Sequence, residues 1–258
     1  DIEDKLNIID SRIALLEREE GDDKDIRVVI GYNFLNKKEK ETETNSGHST
    51  PTRTTSSPFI AFGLNNAVPE NGSLNDSPYK IGGSRFFEIG YEFTTNLSSF
   101  MRVKYGLAFQ FNGLKPDNNQ FFVQDGEQTY LAEYPLQLNK SKFRNDNIVL
   151  PLHFEFGKSE IKGGKNGYYS TEDHFKIGIG GYAGLNLNSV QKLKYEENGH
   201  KQKSKLKKNY NTTNFIYGLS AYIGYNWYAL YVKYDLNPIF TDNLVEEHNV
   251  SIGVRLAF

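Results

Sequence analysis

At the end of the chain, apolar Val250, Ile252, Val254, Leu256 and Phe258 alternate strictly with Ser251, Gly253, Arg255 and Ala257. A two-residue period places successive side chains on opposite faces of a β-strand. The same period runs through Tyr228, Leu230, Val232, Tyr234 and Leu236, which the short Asn226-Trp227 turn joins to Phe215, Tyr217, Leu219, Ala221, Ile223 and Tyr225. It recurs over 175–187, 148–156, 101–111, 87–93 and 60–64, so eight strands are predicted.

A soluble sandwich also alternates, so the residue types on the second face decide between architectures. A sheet face in bulk water carries mostly charged residues and Thr. Here the second face is dominated by Gly, Ala, Ser and Asn, which suit the crowded inside of a narrow barrel. The connections alternate too, short or modest at 96–98, 159–173 and 226–227, and long and polar at 66–82, 113–146, 189–213 and 237–247. Segments of about ten alternating residues with this loop asymmetry are the signature of an outer-membrane barrel with short periplasmic turns. The reading is an all-β, eight-stranded antiparallel up-and-down transmembrane β-barrel over 58–258. Its C-terminus falls in the periplasm.

By parity the lumen receives Glu88, Glu92, Glu155 and Asp235 against Arg102, Lys104, Lys176, Lys233 and Arg255, with His153 beside them. Eight strands enclose room only for side chains, and an unpaired charge there is heavily penalised. A lumen plugged by a mutually paired ionic network is therefore expected, without general porin activity.

Two segments precede the barrel. Ile2, Leu6, Ile9, Ile13 and Leu16 recur at heptad spacing, predicting a short amphipathic or coiled-coil α-helix within 1–24. Under three heptads are marginal alone, so the periplasmic helix is expected to continue further upstream in the precursor, to pair with a partner through Leu6, Ile9, Ile13 and Leu16, or to lie against the barrel rim. Residues 25–57 read as a short strand, alternating over 26–34, and a polar linker. The chain starts at Asp1 without an export leader and reads as a mature or trimmed product.

Composition narrows the function classes. No Cys is present, which rules out a disulfide framework and a thiolate metal site, and a net charge of −2 argues against a generic nucleic-acid binder. A mean hydropathy of −0.60 looks soluble, yet only every second residue of a barrel strand faces lipid. His48, His174, His200 and His248 lack metal-ligand spacing, so no metal or cofactor is expected. Gly163-Gly164-Lys165-Asn166-Gly167 has no following helix and reads as a turn rather than a phosphate loop.

Several motifs together carry a resemblance. The pair Pro58–Ala67 and Gly83–Thr95, the segments Arg102–Leu114 and Ser141–Gly157 with its mid-strand Pro, and the Phe-terminated last strand resemble the PorT-like outer-membrane β-barrel proteins of Bacteroidota. Arg53–Asn66 is similar to a flavobacterial group with a helical segment before the barrel. Phe258 resembles the C-terminal assembly signal of bacterial outer-membrane barrels. The resemblance implies a fold, an outer-membrane location and an association with secretion or surface assembly, with no catalytic residue to carry over.

Candidate chemistry is sparse. His153, Glu155 and Ser220 invite a Ser/His/acid hydrolase reading of the lipid A deacylase kind, but all three project inward while such enzymes act at the lipid-facing wall. Lys192, Lys194, Lys201, Lys203, Lys205, Lys207 and Lys208 stand against only Glu196 and Glu197 in loop 189–213, a cationic patch suited to lipopolysaccharide phosphates. In 113–146, Phe121-Phe122-Val123 and Tyr130-Leu131 flank Asp125-Gly126, predicting a ribbon extending above the membrane. The leading expectation is a non-enzymatic accessory or structural subunit of an envelope assembly with a protein partner. The alternative is a stand-alone surface-binding protein or adhesin using its loops. A lipid-modifying enzyme comes third.

Overall fold

The computed structural model describes residues 51–163 and 167–258. The helix expected within 1–24, the strand over 26–34 and most of the linker lie outside these residues.

Among the described residues thirteen strands follow in order: β1 (Thr54–Pro69), β2 (Arg85–Asn96), β3 (Met101–Leu114), β4 (Gln120–Asp125), β5 (Gln128–Glu133), β6 (Leu138–Phe156), β7 (Glu160–Lys162), β8 (Tyr168–Ser170), β9 (Phe175–Glu197), β10 (His200–Lys207), β11 (Phe215–Tyr225), β12 (Tyr228–Pro238) and β13 (Glu247–Ala257). Eight of them, β1, β2, β3, β6, β9, β11, β12 and β13, pair antiparallel with their sequence neighbours in the ring. Pairing of β13 with β1, from Phe59 opposite Ala257 to Pro69 opposite Glu247, closes it. A closed ring leaves no sheet edge, the condition for strands to cross hydrocarbon. β1 begins at Thr54, four residues earlier than the sequence pattern placed the barrel's start.

The two-residue period resolves into two walls. Outward stand Phe62, Ile89, Leu107, Leu152, Ile179, Leu219, Leu230 and Ile252, all exposed, while their chain neighbours Ala61, Glu88, Ala108, His153, Ser220, Tyr231 and Ser251 are buried inside. An apolar outer wall around a polar interior makes this a transmembrane barrel. Aromatics gather at the rim with short turns, where Trp227 stacks on the terminal Phe258 with ring centroids 6.4 Å apart. Glycine matters where the lumen is tightest. A Cβ on Gly178 would fall 2.1 Å from the Tyr222 ring, and one on Gly63 would fall 2.2 Å from the Ile252 carbonyl.

At the long-loop rim the structure departs from expectation twice. The 189–213 segment is no loop: β9 runs on to Glu197 and turns through Asn198-Gly199 into β10, forming a three-stranded extension with the outer end of β6. The second departure is the β4–β5 hairpin. Instead of continuing the barrel strands upward, it lies across the mouth, with Phe122 packed on Tyr79, Phe143 and Phe240. Hydrophobic burial explains the fold-over, since an upright ribbon would leave Phe122 in water.

Candidate functional site

The lumen network follows from strand register. Arg102 on β3 lies directly opposite Glu155 on β6, so that pair meets without a long side-chain excursion, whereas Lys104 lies opposite His153 and reaches diagonally to Glu92 on β2. Arg102 Nε donates to Glu155 Oε1 at 2.6 Å and its second nitrogen to the Gly157 carbonyl at 3.0 Å. Lys104 Nζ donates to Glu92 Oε1 at 2.8 Å, and the other Glu92 oxygen takes Arg255. The Arg255 guanidinium also sits 3.8 Å over the Phe59 ring. Higher in the lumen Lys233 donates to Glu88 at 2.9 Å, and Tyr182 donates its hydroxyl to Asp235. Lys176 is the exception: it sits at the short-turn mouth and reaches Thr171 Oγ1 at 3.4 Å. That mouth opens into a polar vestibule of about 350 Å³ below Arg102 and Glu155.

His153 and Ser220 do meet, Nε2 to Oγ at 2.7 Å. Glu155, however, is engaged by Arg102 and by the Tyr222 hydroxyl at 2.6 Å. The pair sits inside the lumen and not on the lipid-facing wall, as parity requires.

Above the charges an amide layer bridges the strands: Asn65 Nδ2 donates to Asn249 Oδ1 at 2.9 Å, and Ser251 donates to Asn65 at 2.7 Å. The gap there, beside Asn112, Asn147 and Asn186, measures about 20 Å³, room for roughly one water. The aromatic cap closes the mouth. Gln191 pins it, its carbonyl accepting the Phe122 N–H at 2.7 Å and its amide donating to the Phe122 carbonyl at 2.9 Å and the Tyr210 hydroxyl at 3.0 Å. Thr129 Oγ1 donates to the Tyr210 carbonyl at 2.8 Å, tying the hairpin to the β10–β11 connection.

Solved structures offer likenesses at low identity. The attachment invasion locus protein Ail of Yersinia pestis is 12% identical with a TM-score of 0.35, over 79% of this chain and 97% of that one. Neisserial surface protein A is 11% identical with a TM-score of 0.31, over 80% and 99%. An engineered porin of Rhodopseudomonas blastica is 10% identical with a TM-score of 0.18, over 80% and 100%. No family model and no curated protein matches the chain.

The basic segment gains a geometry that its sequence did not disclose. A bulge in β9 leaves Leu187 unpaired, because Asn147 opposes Asn186 while Asp146 opposes Asn188. The extra residue exchanges the faces. Below the bulge odd-numbered Leu185 and Leu187 point outward; above it Ser189, Gln191 and Leu193 are buried and Lys192 and Lys194 take the outer face. Register then aligns Lys140, Lys194 and Lys203 in one row across β6, β9 and β10, and Lys142, Lys192 and Lys205 in the next. Lys207 continues the outer face on β10, and Lys201 lies opposite Glu196. Lys208 turns away, its ammonium 5.6 Å over the Tyr210 ring of the cap. Lys140 and Lys142 were missed by sequence reasoning, although their alternation with Ser141 and Phe143 carries the strand signal.

Like charges directly opposite one another destabilise a sheet, and the groups register it. Lys203 above all, with partial desolvation and further lysines, holds the Lys192 ammonium below its ordinary pKa. Burial, then Lys140, Arg144 and Arg85, lowers Lys142. Among the described residues none of the six lysines in the two rows is ion-paired.

Proposed function

We propose that this chain is a non-catalytic surface-binding protein of the bacterial outer membrane: a sealed barrel serves as anchor, and a folded external platform does the binding. The observation that carries the reading is the contrast between a lumen filled by paired charges and an ordered, charged platform of strands at the long-loop rim. Side chains fill the path a solute would take, which argues against transport, and the loop asymmetry favours long loops outside and short turns in the periplasm.

Orientation and sealing are directly testable. The chain has no Cys, so Leu244→Cys, at the most exposed apolar position of the long-loop rim, and Asn226→Cys, at the opposite rim, give clean single-thiol proteins. An impermeant maleimide should label the first in intact cells and the second only after permeabilisation; the reverse pattern would overturn the reading. The reconstituted full chain should give no steady conductance in planar bilayers. The accessory-subunit role rests on Leu6, Ile9, Ile13 and Leu16, outside the described residues. A stoichiometric partner lost on deletion of residues 1–24 would favour it over a stand-alone binder.

A further inference from the structure

Below the lysine rows, on β6 and β9, the outer wall is hollow. The outward residues Gly181 and Ala183 of β9 are small, while their cross-strand neighbours Leu152 and Leu150 on β6 and Leu219 and Tyr217 on β11 are large. A concavity of about 800 Å³ runs from here across Tyr105 and Leu107 of β3 to Tyr91 and Phe93 of β2 on its far side. Its lining is almost wholly apolar, and it opens sideways at the level of the hydrocarbon. From Ala183 in the hollow to Lys192 is nine residues, about 30 Å along a strand, so the ammonium rows stand beyond the apolar band on the same outer face.

We propose that this outer face is a binding site for a phosphorylated, acylated glycolipid of the surrounding leaflet. Acyl chains lie in the hollow over Gly181 and Ala183. Phosphate groups neutralise the rows Lys140–Lys194–Lys203 and Lys142–Lys192–Lys205. Charge complementarity selects the occupant, because six closely set, unpaired ammonium groups need multivalent anions. The hollow requires those anions to be carried on alkyl chains. The bulge at Leu187 is what joins the two halves, since without it Lys192 and Lys194 would point to the cap side.

The inference rests on the external placement proposed above, and its test uses three probes on the full chain in detergent or nanodiscs: purified lipopolysaccharide, the same molecule stripped of acyl chains, and phosphatidylglycerol. Lipopolysaccharide should bind at least about tenfold more tightly than either of the others. Replacing the six lysines by Gln should weaken both saccharide probes by at least about tenfold and remove most of the salt dependence. Ala183→Phe, or the milder Ala183→Leu, should weaken only the acylated probe. Heat-modifiable migration on gels verifies that each variant has formed its barrel. Equal binding of phosphatidylglycerol, or lipopolysaccharide binding unchanged in the Gln variant, would overturn the proposal. Either of these outcomes with correct Leu244→Cys labelling would sink this site while leaving the surface-binding reading intact.

Discussion

The barrel closes itself twice, by opposite chemistries. In the lower lumen Glu92, Arg255, Lys104, Glu155 and Arg102 form one buried chain of ion pairs; at the mouth Tyr79, Phe122, Phe143, Tyr210 and Phe240 form an aromatic plug. The charges belong to strands that cross the membrane, so they could not be removed without disturbing the wall. The plug is assembled largely from connections, and only Phe143 sits in a ring strand. Desolvation makes the first closure intolerant of any missing partner. The second depends on packed area, which can be lost in part.

The largest effect should come from breaking the first closure. Glu92 accepts from both Lys104 and Arg255, so Glu92→Ala leaves two buried cations short of a partner. A loss of about 3–5 kcal/mol is expected, read as a lower urea midpoint for the entire barrel. Phe122→Ala should remove a comparable packing energy, about 3–5 kcal/mol, but confined to the cap. Hydrogen exchange in β4 and β5 should accelerate while the barrel's urea midpoint stays nearly constant. Equal destabilisation of barrel and cap in both variants would erase the distinction between the two closures. Replacing residues 120–133 by a short Gly-Ser link sharpens it: conductance should remain absent, because the lumen charges and the amide layer still block the path. Steady conductance in that variant would instead assign the seal to the cap.

How much was legible in the sequence divides along the same line. All ten lumen residues named from parity, Glu88, Glu92, Arg102, Lys104, His153, Glu155, Lys176, Lys233, Asp235 and Arg255, are buried. A two-residue period fixes a side chain's face without knowledge of anything distant. Individual partners were not legible, since Lys233–Glu88 and Arg255–Glu92 join residues far apart in the chain. The cap was misread for a related reason. Asp125-Gly126 correctly marks a hairpin, but its direction depends on Gln191 and Tyr210, which no local pattern reveals. The bulge at Leu187 defeats parity altogether, because one uncounted residue moves Lys192 and Lys194 to the other face of β9.

The smallest effect should be a pH dependence confined to the cap. Tyr79 donates its hydroxyl to Glu247 at 2.6 Å, beyond the apolar band at the long-loop rim. Burial raises the Glu247 carboxyl above its usual range, and the Tyr79 bond offsets only part of that rise. A carboxyl with a raised pKa in the folded state binds its proton more tightly there than in the open state. Its stabilising contribution is therefore complete below the ordinary value of 4.5 and fades as pH climbs through the raised one. The cap should accordingly tighten on mild acidification, seen as slower exchange of the Phe122 and Thr129 amides while the amides of β2 and β3 stay unchanged. Glu247→Gln keeps an acceptor for Tyr79 but cannot titrate, so it should flatten the profile. A profile preserved in that variant would trace the acid response to some other group and separate it from the cap's buried carboxyl.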